Sequence, residues 1–174
     1  MMIEHVIPDS YWVIPGLLLA GEYPGARTDG EARGKLSALL DGGVRHFVDL
    51  TEAGEYGLRP YWPLVQQMAG ERGIAVTHRR MSIPDMSAAS PAHMLAVLDE
   101  IDRAMAQGRP VYVHCYGGIG RTGTAVGCYL VRQGRTGEAA LAEIARRRQG
   151  TPDGDRQSPE TEAQRRLVLT WREG

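Results

Sequence analysis

Lysine is nearly missing from this chain: Lys35 is the only one, asparagine is absent, and Phe47 is the only phenylalanine. Arginine therefore carries almost all the positive charge, a bias that a GC-rich coding sequence explains more simply than any function. The two signs nearly cancel, with 20 basic side chains against 21 acidic ones, so no field draws the chain to nucleic acid or to an anionic membrane. Only two cysteines occur, Cys115 and Cys128. That is too few for a disulfide scaffold and points to a reducing compartment. Long hydrophobic runs are lacking too. The stretch Tyr11 to Ala20 is broken by Pro15-Gly16 and has no basic start, so it reads as neither a signal peptide nor a membrane span. Repeats, low-complexity tracts and linkers are also absent. What remains is a chain of 174 residues, 43% hydrophobic, expected to form one domain over 1–174 with a substantial core and to act as a cytoplasmic monomer.

The chain is organised around Val111-Tyr-Val-His-Cys-Tyr-Gly-Gly-Ile-Gly-Arg-Thr-Gly123. Val111 to Val113 follow the Gly108-Arg-Pro110 break and read as a buried strand ending at His114. Glycines 117, 118, 120 and 123 permit φ > 0 and let amide N–H groups turn inward without Cβ atoms in the way. With the positive end of the following helix, those amides make an anion site. The same field favours the thiolate of Cys115 over its thiol. Arg121 offers a planar fork that holds two phosphoryl oxygens at once. These residues predict a seat for a dianionic phosphate, formed by Tyr116, Gly117, Gly118, Ile119, Gly120 and Arg121, with Cys115 placed to attack. Thr122 can donate its hydroxyl to the Cys115 sulfur when that sulfur becomes a leaving group. His114 is expected to order the loop through backbone hydrogen bonds. The helix over about 122–133 is apolar on nearly every side, which predicts a buried element that holds the loop rigid.

His-Cys, five residues, then Arg and Thr resembles the signature of the cysteine-dependent protein tyrosine and dual-specificity phosphatases. His-Cys-Tyr-Gly-Gly-Ile-Gly-Arg is most similar to the kinase-associated phosphatase branch. Average residue usage makes a chance match at these offsets on the order of one in a few thousand chains of this size. The resemblance implies phosphomonoester hydrolysis through a phosphocysteine, with no metal and no cofactor, on phosphotyrosine or phosphoserine/threonine in proteins. Such chemistry needs a proton for the leaving oxygen and then a base for water. Asp85, in Ile83-Pro-Asp85 about thirty residues before the cysteine, is expected to do both. Asp99, Asp102, Asp153 and Asp155 compete, but they fall on a helix or after the motif. The resemblance also brings a water-positioning glutamine to the region before the last helix. Gln164 fits one family glutamine, whereas Glu160 stands where another would be.

Elsewhere the chain alternates between strand and helix patterns. Tyr11–Ile14 and Leu17–Ala20 read as two strands across a tight turn, and 30–40 as a helix capped by Thr28 or Asp29. Strands are expected at 44–50 and 74–78, and helices at 61–72, 90–107, 136–148 and from Ser158 onward. The loop 51–60 ends a strand at the carboxyl edge of the sheet, where ligands bind in open α/β folds. Glu52, Tyr56 and Arg59 either contact substrate there or are simply solvated. Arg79 and Arg80 either add positive potential at the pocket mouth or face water. The fold expected is α/β, three layers, with a central mostly parallel sheet of about five strands flanked by helices. Cys128 reads as core, with a disulfide to Cys115 as a weaker alternative. Rival functions are a phosphatase of inositol phosphates or other small phosphomonoesters and a non-catalytic phosphoprotein-binding module. The expected partner is the phosphorylated protein or small phosphomonoester itself. Gly118-x-Gly120-x-x-Gly123 also satisfies a dinucleotide fingerprint, but no second strand follows its helix.

Overall fold

The computed structural model describes residues 5–173. Five strands form one sheet: β1 (Ser10–Ile14), β2 (Leu18–Gly21), β3 (His46–Asp49), β4 (Thr77–Arg80) and β5 (Val111–His114). Their spatial order is β1-β2-β5-β3-β4. Only β1, joined to β2 by the Pro15-Gly16 turn, runs antiparallel. The helices are α1 (Asp29–Asp41), α2 (Trp62–Arg72), α3 (Pro91–Ala106), α4 (Arg121–Arg132), α5 (Gly137–Arg147) and α6 (Glu162–Thr170), with a 3-10 turn at Glu55–Gly57. This is the three-layer α/β fold expected.

Alternation along the strands builds the layers. Leu18, Ala20, Val48, Val111 and Val113 join the core beneath α3, α4 and the C-terminal helices. Their neighbours Leu19, Phe47 and Tyr112 point the other way, into the core shared with α1 and α2. A period of two in a sheet buried on both faces produces this partition. Among the described residues no helix is long and apolar enough to cross a membrane.

Some boundaries differ from the sequence expectation, each for a local reason. The strand expected at 74–78 lies at Thr77–Arg80. Its polar side chains are tolerated because β4 is the edge strand, half solvated, and needs only the backbone pairing with β3. Ile74 and Val76 still pack on the α1/α2 core, ahead of the strand. The last helix starts not at Ser158 but after Thr161, whose side chain accepts the N–H of Gln164 while Gln164 reaches back in a capping box. Ser158 is engaged elsewhere, donating its hydroxyl to Ile119 O at 2.6 Å.

The parallel register aligns Gly21, His114, Asp49 and Arg80 across the carboxyl ends of four strands. The loops leaving β2, β3, β4 and β5 therefore emerge side by side. That alignment builds the site.

Candidate active site

Cys115 follows β5 directly and Arg121 is the first residue of α4, so strand and helix fix the two ends of the intervening loop. Helix α4 is buried from Arg121 through Leu130, as its all-round apolar pattern requires. Gly118 has φ +75°, and a Cβ there would lie 2.4 Å from the backbone carbon of Gly21. The loop thus packs on the end of β2 in a form only glycine permits. The expectation of positive φ at all four glycines is corrected: Gly120 is right-handed, and Gly123 lies inside α4, where a Cβ would meet Ser158 Oγ at 2.3 Å. At Gly123 close approach, not backbone freedom, excludes a side chain.

The amides of the loop are free to bind an anion. Among the described residues no protein acceptor takes the N–H of Tyr116, Gly117, Gly118, Ile119 or Gly120, and α4 has no side-chain cap. An uncapped helix start at a loop of unengaged amides suits a phosphoryl group. Behind the loop, His114 Nδ1 lies 3.1 Å from Cys115 O and Nε2 lies 2.5 Å from Tyr61 Oη. Burial pushes the His114 imidazole below its usual pKa, against the opposing pull of Asp49. Burial also raises the Tyr61 phenol well above its own. A neutral His114 with Nδ1–H donating to Cys115 O and Nε2 accepting from Tyr61 satisfies both contacts. The backbone-ordering role expected of His114 is what this geometry provides, with Tyr61 as an added partner.

Arg121 is 1% exposed. Its two Nη atoms donate to the two carboxylate oxygens of Glu55 at 2.8 and 2.9 Å, and Nη1 also reaches Ile83 O at 2.9 Å. Burial alone would lower the guanidinium pKa, but the Glu55 hydrogen bonds and the nearby Cys115, Glu55 and Asp85 outweigh it and hold it above the usual value. Glu55 grips the guanidinium end-on. That leaves the side edge, Nε with the second proton of Nη2, and Nε is buried with no hydrogen-bond partner. A buried donor without an acceptor is costly unless a ligand completes it.

Asp85 lies close to the same guanidinium. Its Oδ1 lies 3.2 Å from Arg121 Nη2 and accepts the Met86 N–H at 3.0 Å, while Oδ2 accepts a short hydrogen bond from the Tyr56 hydroxyl. Met86 and Tyr56 both hold positive φ, 64° and 53°, so the two loops that present the acid are locally strained. Tyr56 stacks obliquely on Tyr116 with ring centroids 5.3 Å apart. Cys115, Arg121, Asp85, Tyr56, Met86, Tyr116, Gly117, Ile119, Asp153, Arg156 and Glu160 line one cavity of about 330 Å³. A wider cleft of about 530 Å³ adjoins it and shares Tyr56, Tyr116, Gly117 and Asp153.

Several sequence expectations find other places. The Thr122 hydroxyl is buried without any partner, so the expected donation to sulfur is not made in this structure. Arg59 lines the adjoining cleft and pairs with Asp29 at 2.9 Å. Glu52 reaches neither cavity. Arg79 pairs with Glu100 and Arg80 with Asp49. Neither reaches the pocket mouth, because both belong to β4 and not to the loop after it. Of the competing acids only Asp153 lines the cavity; Asp99 and Asp102 bind Arg132. Gln164 caps α6 and donates to Ser87 O at 3.2 Å. Both cysteines are free. Cys128 is buried seven residues into α4, about 10 Å along its axis from the loop, and burial pushes its thiol up to about 12. A bridge to Cys115 would require backbone movement.

Glu55 was not legible as a site residue. Its one signal was a carboxylate in a loop at the carboxyl edge, where it becomes the two-point partner of the buried Arg121. Among the described residues no cluster of three or more His, Cys, Asp or Glu side chains suits a metal ion.

Sheet order, the cysteine-to-arginine loop and the acid on the neighbouring loop define a phosphatase domain of the dual-specificity and tyrosine type. Residues 24–135 match the family of the polymorphic toxin system DSP-PTPase phosphatase, and the chain belongs to that family. Solved structures agree in fold. The active form of Tk-PTP is 26% identical with a TM-score of 0.70, covering 95% of this chain and 99% of that one. Kinase associated phosphatase, with its catalytic-site cysteine changed to serine, is 18% identical at TM-score 0.69, covering 96% and 94%. The core catalytic domain of the PP-IP phosphatase SIW14 from S. cerevisiae, bound to citrate, is 15% identical at TM-score 0.68, covering 95% and 88%.

Proposed function

We propose that this phosphatase works through Cys115, by a covalent phosphocysteine, on phosphotyrosine or phosphoserine/threonine in proteins. The observation that carries the reading is a buried, charged Arg121, its Nε without a partner, lining the same cavity as Cys115. Seated there, a phosphoryl group accepts from Nε and Nη2 and from the loop amides, while Cys115 Sγ forms a bond to phosphorus. The phosphorus–oxygen bond to the leaving group breaks, and Asp85 gives that oxygen its proton. Water then attacks phosphorus, the sulfur–phosphorus bond breaks with its electron pair returning to sulfur, and the proton lost by water passes to a carboxylate lining the cavity. Pre-organised donors stabilise the charge that gathers on the equatorial oxygens. The tyrosine rings at the mouth offer flat surfaces to an aromatic leaving group. The SIW14 likeness keeps small phosphate esters as the second reading.

Metal-free turnover of an aryl phosphate, inhibited by vanadate, is the test. Cys115→Ser should abolish it, and a Cys115→Ser protein that turns over at the full rate would refute the mechanism. Turnover of phosphopeptides compared with soluble inositol phosphates then decides the substrate class.

A further inference from the structure

Three carboxylates line the sulfur-bearing cavity: Asp85 on the loop after β4, Asp153 in the connection after α5, and Glu160 just ahead of α6. Asp153 is tied through its backbone to Asp9 and Arg148, and of the three only Glu160 has an oxygen set against the loop glycine Gly120. Asp85 and Glu160 are engaged very differently. Both oxygens of Asp85 are taken, by the Tyr56 hydroxyl on one side and by the Met86 N–H, with Arg121 close by, on the other. Glu160 is fixed through its backbone, whose N–H donates to Gln164 Oε1 at 3.1 Å. Among the described residues the hydrogen-bond partner of its carboxylate is Arg156, at a long 3.5 Å. Its Oε1 lies against Gly120, where a Cβ would come within 2.8 Å. A negative charge is thus seated beside the loop that cradles the phosphoryl group, with one oxygen uncommitted. Against a dianionic ester such a charge is repulsive and weakens binding. It becomes useful once the ester oxygen has left and a proton must be removed from water.

We infer that Glu160 is the general base of the second half-reaction, a task the sequence assigns to Asp85. The inference rests on the phosphocysteine reading above. Water forms its bond to phosphorus, the sulfur–phosphorus bond breaks with its electron pair returning to Cys115 Sγ, and the proton lost by water moves to Glu160. Asp85, already ionised by the first step, stays held by Tyr56 and Met86. After phosphate leaves, Glu160 releases its proton to solvent and Asp85 takes one up. Each turnover then consumes one ester and one water and yields one alcohol and one phosphate. Gln164 keeps its capping role throughout. The cap uses the backbone of 160, not its side chain, so the side chain can be replaced without opening the helix start.

The experiment is rapid mixing of Glu160→Gln and Glu160→Ala with p-nitrophenyl phosphate, whose good leaving group makes the first step fast. Each variant should release close to one equivalent of nitrophenol per enzyme in a burst. The steady rate that follows should be lowered about 100-fold, the range of general-base effects, with phosphoenzyme trapped on rapid denaturation. Three results overturn the inference: a steady rate within about twofold of the unmodified protein, a Gln variant that recovers the rate the Ala variant loses, or a burst that slows in step with the steady rate. Failure of the underlying reading has a different signature, namely no phosphoenzyme in any variant together with an active Cys115→Ser protein.

Discussion

Removing Glu55 tests whether orientation or net charge governs the site. The carboxylate is 9% exposed against an arginine at 1%, with two bonds at 2.8 and 2.9 Å. Unit charges about 4 Å apart at an effective dielectric of 20 attract by about 4 kcal/mol. Breaking a buried pair by deleting one partner costs about 3–5 kcal/mol. Arg121 retains Ile83 O at 2.9 Å, Leu50 O at 3.4 Å and Asp85 at 3.2 Å, so the loss for Glu55→Ala falls at the low end, about 3 kcal/mol. For a domain of this size each kcal/mol shifts Tm by about 2–4 °C, so Tm should fall by about 6–12 °C. Glu55 also accepts the Glu52 N–H at 2.6 Å, so the loop that carries Tyr56 loosens with it. A guanidinium free to turn forfeits its aim at the equatorial oxygens. About 1.4–2.8 kcal/mol lost in the transition state lowers kcat/KM about 10- to 100-fold. Calorimetry, vanadate titration and steady-state kinetics read the three effects. Tighter vanadate binding with an unchanged Tm would refute the reasoning, since it would show that added positive charge, not aim, limits the site.

Other substitutions test other joints. Gly118→Ala forces a side chain into φ +75° and onto the backbone of Gly21; the left-handed backbone alone costs about 1–2 kcal/mol, so urea denaturation should show at least that loss, and an unchanged midpoint would contradict the packing. Iodoacetamide on the folded protein should modify Cys115 and spare Cys128, which is buried in α4 with its thiol pushed to about 12; mass spectrometry showing Cys128 labelled at the same rate would contradict its burial. Burial depresses the His114 and His46 imidazoles. A base held below its unfolded pKa binds fewer protons in the fold, so its contribution is complete above the unfolded value of about 6.5 and declines as pH falls from there toward the folded pKa. Tm should therefore drop as pH falls below about 6.5, and His114→Gln should flatten that drop; an equally steep drop would remove His114 as a source.

How much of this was legible before folding follows from the range of each signal. The loop from Cys115 to Arg121, with its glycines and its apolar helix, is written in consecutive residues, because an anion seat at a helix start is a local construction. The layers were legible as well. Leu19, Phe47 and Tyr112 alternate with Leu18, Val48 and Val111 at a period that backbone geometry imposes. Strand β4 was misplaced because Thr77-His-Arg-Arg80 has no apolar signal; an edge strand is held by backbone pairing, which side chains do not announce.

The sequence by itself determined the chemistry on offer, a sulfur, a fork and a glycine cradle, since those groups are covalently adjacent. Tertiary structure alone decided which acids reach them. Glu55 and Asp85 meet because parallel strands β3 and β4 deliver their loops to one edge of the sheet, and Glu160 reaches the same edge on the connection between α5 and α6. Similar carboxylates at Asp99 and Asp102 are spent on Arg132 instead. Coulomb's law acts through space, and the distance between charges is set by the fold, not by position along the chain.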